Sequence, residues 1–325
     1  NGSIVGFNIT IEFTYSDPHL QQAILVIDGM VINVTGSYSY ELDTTLLDDG
    51  AHTILLNVSD IVGNYRVASI VIIVDNTPPT ASIVSPVDGS LVSGIVEVVV
   101  DYYDLHLDQA VLYINGTPVE LTGYTYLWDT TEYPDGVYNL TLVVTDVVGY
   151  KAVDTVFVVV DNTPPTAEIT SPEDGSVVSN TITIEFTYSD LHLDKAILYI
   201  DNTPVDVTGS YSYELDTTLL VDGEHVITLS VSDLAGNVYN TSITIVVDNT
   251  PPIAEIVSPE TGSWVKGVVE IVMNYSDPHL LEAVLYINGS PIPLEDLVYE
   301  WDTTEYPDGV YNITLVVRDM LGHTS

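Results

Sequence analysis

Asp75-Asn76-Thr77-Pro78-Pro79 recurs as Asp161-Asn162-Thr163-Pro164-Pro165 and again as Asp248-Asn249-Thr250-Pro251-Pro252. The starts lie 86 residues (161 − 75) and 87 residues (248 − 161) apart, so the chain reads as a tandem array. Each copy follows a β-branched run (residues 69–74, 155–160 and 242–247) and precedes another strand-like segment. Two adjacent prolines fix φ twice and remove two N–H donors, so neither strand nor helix runs through them. They also push Thr77, Thr163 and Thr250 into extended geometry. The motif is a short, stiff joint. The period predicts four modules with boundaries at 1–76, 77–162, 163–249 and 250–325.

Inside each module the pattern is that of strands and turns. Ile182, Ile184, Phe186 and Tyr188 alternate with Thr181, Thr183, Glu185 and Thr187, and Val96, Val98, Val100 and Tyr102 repeat the pattern; period two predicts half-buried strands. An acidic loop follows (Asp17-Pro18-His19, Asp104-Leu105-His106, Asp190-Leu191-His192, Asp277-Pro278-His279). The next strand ends in Asp28-Gly29, Asn115-Gly116, Asp201-Asn202 or Asn288-Gly289, pairs that tolerate the positive φ of a two-residue hairpin loop. Aromatic alternation then runs into Asp-Thr-Thr, an Asp-Gly turn, another strand and a closing loop that opens at Asp60, Asp146, Asp233 or Asp319. No helical period appears. About seven short strands per module predict an all-β chain of four tandem β-sandwiches. Asn1-Gly2-Ser3 aligns with Asp88-Gly89-Ser90, some ten residues inside a module, so the first module is expected to lack its opening strand. The last is expected to lack its closing strand, and the sequence reads as a window on a longer precursor.

Composition narrows the chemistry. Five Lys and Arg against 47 acidic residues give a net charge of −42, which repels nucleic acid and anionic lipid and attracts cations. A hydrophobic content of 46% with 22 tyrosines argues against disorder. There is no cysteine, so neither disulfides nor thiolate metal sites hold the fold. No apolar run approaches a membrane span.

The joint, the Trp-Asp-Thr-Thr strand ends at Trp128 and Trp301, the Asp-Gly turns and the closing Asp-x-x-Gly-Asn resemble the immunoglobulin-like repeats of secreted and cell-surface proteins of bacteria and archaea. The closing motif is intact at Asp60-Ile61-Val62-Gly63-Asn64 and Asp233-Leu234-Ala235-Gly236-Asn237, whereas Tyr150 and His323 replace the asparagine in the other two copies. The resemblance implies a structural, non-catalytic extracellular protein: part of a surface layer, stalk or filament whose partners are copies of itself or neighbouring surface proteins. A calcium-dependent adhesin or carbohydrate-binding array is the alternative, as is an accessory region of an exported hydrolase.

The immunoglobulin-like topology implied by the resemblance groups each joint aspartate with two loops of the module it enters. The expected sets are Asp75 with Asp104 and Asp146, Asp161 with Asp190 and Asp233, and Asp248 with Asp277 and Asp319. Three carboxylates plus loop carbonyls suit Ca²⁺, a hard cation that takes several oxygens at a flexible site. The competing reading is that each aspartate caps a turn with its own side chain. The recurring Asp-x-His offers too few ligands for a closed transition-metal site, so these histidines are expected to be solvated or hydrogen-bonded. No Gly-x-Ser-x-Gly elbow is present and no catalytic residue is expected. Asn-x-Ser/Thr occurs at Asn1, Asn8, Asn33, Asn57, Asn115, Asn139, Asn240, Asn274, Asn288 and Asn312, sites where an exported chain would carry sugar.

Overall fold

The computed structural model describes residues 2–325, and its regular structure is strand apart from four three-residue 3-10 turns. The chain forms two compact units, residues 1–163 and 164–325, which divide inside the second joint motif.

In the first unit, Thr80–Ser85, Ile95–Tyr103 and Thr125–Asp129 form an antiparallel sheet. It packs on a five-stranded sheet in the order Thr117–Val119, Leu107–Ile114, Gly136–Asp146, Lys151–Val160, Leu91–Val92. The inward residues of both sheets make one core, including Val98, Val100, Leu112, Leu142, Val158 and a fully buried Trp128. The short strand Leu91–Val92 joins the larger sheet in parallel, beside Val159 and Val160, while Thr80–Ser85 pairs in the smaller one. The chain thus changes sheets near the cis Ser85–Pro86 peptide. Residues 2–74 repeat this plan with a two-stranded sheet, Asn8–Glu12 with Ser39–Asp43, where their neighbour has three strands. Among the described residues no strand pairs with the other edge of Asn8–Glu12.

The second unit repeats the plan twice. Thr166–Ser171, Thr181–Ser189 and Ser212–Asp216 pack on the sheet of Ser176–Val178, Val238–Val247, Gly223–Asp233, Leu193–Ile200 and Thr203–Asp206. Ile184, Phe186 and Tyr188 are buried while Thr183, Glu185 and Thr187 are exposed, so the alternation read from the sequence holds. The last pair of sheets has three strands each, with Ile313–Asp319 at one edge and a core around Ile271, Leu285 and Trp301. The chain is all-β, and among the described residues the buried hydrophobic side chains fall into four separate clusters.

The repeated polar motifs are spent on the joints. Each Asp-Thr-Thr becomes a 3-10 turn in which the aspartate caps the second threonine's N–H: Asp43 to Thr45, Asp129 to Thr131, Asp216 to Thr218 and Asp302 to Thr304. Asn76 then ties the end of the last strand to that turn, donating its amide to the carbonyls of Thr44 (2.9 Å) and Leu47 (3.1 Å). Its backbone N–H reaches Asp49 Oδ1 at 2.7 Å, and Thr77 Oγ1 donates to Asp49 Oδ2. Asn162 and Asn249 make the same bonds to Asp135 and Asp222. The Asp-Gly aspartate, the Asp-Thr-Thr turn and the joint asparagine therefore act as one lock.

Candidate metal centre

Successive residues of an extended chain point to opposite sides. Because Asn76 faces the sandwich the chain is leaving, Asp75 faces the one it enters. There Asp75 is buried, 4% exposed, and accepts the N–H of Thr77 on Oδ1 at 3.3 Å. Its Oδ2 lies 2.8 Å from His106 Nδ1. Asp104 folds its loop by accepting the His106 backbone N–H at 2.7 Å. Asp146, 2% exposed, takes three N–H groups on Oδ1, from Val148 (2.9 Å), Gly149 (2.7 Å) and Tyr150 (2.9 Å). Oxygens of Asp75, Asp104 and Asp146 all come within 4.8 Å of one another. The set expected from the sequence is brought together here, and its members also cap turns, so the two readings coexist in one geometry.

Asp146 Oδ2 decides whether these residues fit a cation. It is buried and has no hydrogen-bond partner. A buried carboxylate oxygen without a donor is costly, and a cation is one of the few groups that satisfies it. Three carboxylates make a hard donor set of the kind calcium takes. Asp75, Asp104 and Asp146 would hold it, with His106 against the outer side of Asp75.

The third joint shares the histidine contact and differs at its closing loop. Asp248, Asp277 and His279 offer ligand atoms within 4.8 Å of one another, and Asp248 Oδ2 faces His279 Nδ1 at 2.6 Å, as Asp75 faces His106. Asp319 Oδ2 faces His323 Nδ1 at 2.7 Å. Burial pushes the pKa of Asp319 up, toward the neutral form, yet the bonds and charge from His323 outweigh it and hold that pKa below the ordinary carboxylate value. The second joint crosses the division of the chain: Asp161 lies in the first unit, Asp190 and Asp233 in the second. Asp161 is buried with its N–H on the Val92 carbonyl, Asp190 caps the His192 N–H at 2.7 Å, and Asp233 Oδ2 accepts Asn237 Nδ2 at 2.7 Å. The Asp-x-His histidines that bond at the first and third joints, His106 and His279, are the hydrogen-bonded loop residues the sequence led us to expect.

Of the sequon asparagines, Asn1 lies outside the described residues. Asn8, Asn33, Asn115, Asn240, Asn274, Asn288 and Asn312 are exposed; Asn57 and Asn139 are half-buried, each with Oδ1 enclosed and unpartnered. Two bridging residues escaped the sequence reading altogether. His52 and His225 each bridge a turn carboxylate, of Asp28 or Asp201, and a backbone carbonyl, of Asp48 or Val221.

Comparison with known proteins gives the fold a family. The bacterial Ig domain family matches residues 79–142 and 165–229, and the group 3 bacterial Ig-like domain family matches residues 209–287. No curated protein matches the chain. Among solved structures, fibronectin(III)-like modules of Clostridium thermocellum CbhA are 20% identical, covering 52% of this chain and 95% of theirs with a TM-score of 0.37. A Ca²⁺-stabilized adhesin with which an Antarctic bacterium binds ice is 17% identical over 99% of this chain and 94% of its own, TM-score 0.33. A tetra-tandem repeat from the extending region of a large adhesion protein is 18% identical over 98% of this chain and 92% of its own, TM-score 0.35. The chain carries bacterial immunoglobulin-like domains in tandem.

Proposed function

We propose that this chain is a non-catalytic structural section of an extracellular, cell-surface protein, a set of rigid sandwiches in series that spaces or assembles other parts. The observation that carries this reading is where the repeated polar residues go. The Asp-Thr-Thr turn, the Asp-Gly turn and the joint asparagine recur almost unchanged and are consumed in holding each strand end to its own sandwich. A sequence that repeats its internal fastenings is selected for how modules hold together. A net charge of −42 keeps such a chain soluble and surrounded by cations.

The second part of the proposal is that Ca²⁺ stiffens the joint at Asp75, and the orphaned Asp146 oxygen is what supports it. The sequon asparagines on exposed turns and strands would carry sugar in a host that glycosylates exported chains. The test of location is protease added to intact cells that make the protein. Loss of the chain without lysis is expected; full protection until the cells are broken would overturn the surface assignment.

A further inference from the structure

The closing loops share one backbone fold and differ in one side chain. Asp60 Oδ2 accepts Asn64 Nδ2 at 2.7 Å, Asp233 Oδ2 accepts Asn237 Nδ2 at 2.7 Å, and Asp319 Oδ2 meets His323 Nδ1 at 2.7 Å. In each, the residue four positions on supplies a donor to the aspartate's second oxygen. Only at Asp146 is that residue a tyrosine, Tyr150, whose side chain has no donor near enough to serve, and Asp146 Oδ2 is left buried and bare. We propose that Tyr150 is the specificity-determining residue that makes the joint at Asp75 the one that takes a divalent cation of the calcium type, while a side-chain donor closes the site at Asp319. This rests on the reading that the joint binds Ca²⁺ and adds which joint does so and why.

The ring has a use of its own. Tyr150 packs on Phe7 of the preceding sandwich with centroids 4.4 Å apart. Phe7 holds a φ of 58°, a left-handed conformation unusual for a bulky residue, and so faces its neighbour. Gly6 allows the approach: a Cβ there would lie 3.0 Å from the Asp75 carbonyl oxygen and 3.2 Å from Val148 Cβ, so its neighbours would have to give by a few tenths of an ångström. One substitution, asparagine to tyrosine, thus removes the donor that would fill the cation's place and adds an aromatic contact across the same joint. Cation binding and docking of the two sandwiches are linked through the loop of residues 146–150.

The three carboxylates are opposed by little positive charge. Among the described residues no lysine or arginine bonds to Asp75, Asp104 or Asp146, whose one neighbouring nitrogen base is the His106 ring against Asp75. A divalent cation would balance the carboxylates.

Calcium titrated calorimetrically into the full chain tests the proposal, with Tyr150→Asn and Tyr150→Phe as the variants. Tyr150→Asn restores the side chain found at Asn64 and Asn237, so the fold is kept, and its amide competes for Asp146 Oδ2. The wild type is expected to bind Ca²⁺, Tyr150→Asn to lose about ten- to a hundredfold in affinity, as metal sites do when an outer partner of a ligand is altered, and Tyr150→Phe to bind as the wild type does. Equal binding by the wild type and Tyr150→Asn would overturn the role of Tyr150 and leave the cation reading standing. Equal losses in both variants would also overturn it, because the phenyl ring supplies no donor. No binding by the wild type would overturn the cation reading itself.

Discussion

Raising the pH from 5.5 to 9 should weaken the sandwiches that contain His52 and His225 and spare those that carry tyrosine in the same place. Each imidazole sits between two acceptors. His225 Nδ1 lies 2.5 Å from Asp201 Oδ2 and its Nε2 lies 2.7 Å from the Val221 carbonyl; His52 bridges Asp28 and the Asp48 carbonyl in the same way. Two acceptors are both satisfied only by the imidazolium form of the ring, which carries two N–H groups. Burial alone would push both histidines down, but the bonds to the carbonyl and the carboxylate outweigh it and hold them above the ordinary value of 6.5. Asp28 is held below its ordinary value first by the Thr53 N–H and then by His52; in Asp201 burial is outweighed by His225 and the Val226 N–H. The sign follows. A raised histidine contributes fully below pH 6.5 and loses its contribution as pH rises through the folded-state pKa. A lowered aspartate contributes above about 3.8 and loses it as pH falls. The stabilisation is complete between these limits. Losing one N–H leaves an enclosed acceptor without a donor, worth about 1–3 kcal/mol. The Asp28 and Asp201 side chains are 44% exposed, so screening brings this to about 1 kcal/mol per histidine. For a domain of this size that is a fall of about 4–8 °C in melting temperature. Scanning calorimetry across the pH range reads the melting, and proton NMR of the ring resonances reads the titration. Asp28→Asn with His52→Tyr installs the residue types found at Asn115 and Tyr138, where the tyrosine hydroxyl donates to the Pro134 carbonyl at 2.8 Å and no imidazole titrates, and should abolish the effect in that sandwich. Histidines titrating at or below 6.5, or a melting temperature indifferent to pH, would refute the reasoning.

Trp128 is fully buried, with Tyr133 and Tyr138 edge-on at 5.5 and 5.6 Å, so Trp128→Ala should cost about 3–5 kcal/mol, measured by denaturant unfolding. Its indole Nε1 has no acceptor, so Trp128→Phe loses no hydrogen bond and should cost well under half as much; equal costs would mean that the N–H is satisfied in solution. Peptide mass mapping of native material should find sugar at exposed turn positions such as Asn115 and Asn288 in preference to Asn57 and Asn139, whose amide oxygens are enclosed. Unmodified mass at every sequon would remove glycosylation from the account.

The fold was readable because its signals are local. Alternation from Thr181 to Tyr188 sets which face is buried, and Asn115-Gly116 or Asp28-Gly29 sets where a hairpin reverses, each within a few residues. The short parallel strands Ser3–Val5, Leu91–Val92 and Ser176–Val178 were not readable, because two or three residues carry no period and their partners lie some seventy residues away. The aspartate cluster could be grouped only through the resemblance that supplied a topology. Tyr150 stood out as a departure from Asp-x-x-Gly-Asn, but its meaning needed the position of Asp146 Oδ2. The pairs Asp28 with His52 and Asp201 with His225 are 24 residues apart and meet only because of strand register: Ile27 lies opposite Ile54, which places the Asp28 side chain over residues 52 and 53. Register is a property of the folded sheet, and no single stretch announces it.

If Ca²⁺ helps hold the joint at Asp75, the full chain melts at a higher temperature in millimolar Ca²⁺ than in EDTA at matched ionic strength. A cation bound only by the folded state stabilises it by RT ln(1 + [L]/Kd), about 2.7 kcal/mol at a hundredfold excess over Kd. For a compact unit of some 160 residues that amounts to an upward shift of about 5–10 °C. Such a shift is expected in the transition that contains Asp75, Asp104 and Asp146, and its loss in Asp146→Asn. Superimposable curves with and without calcium would contradict it.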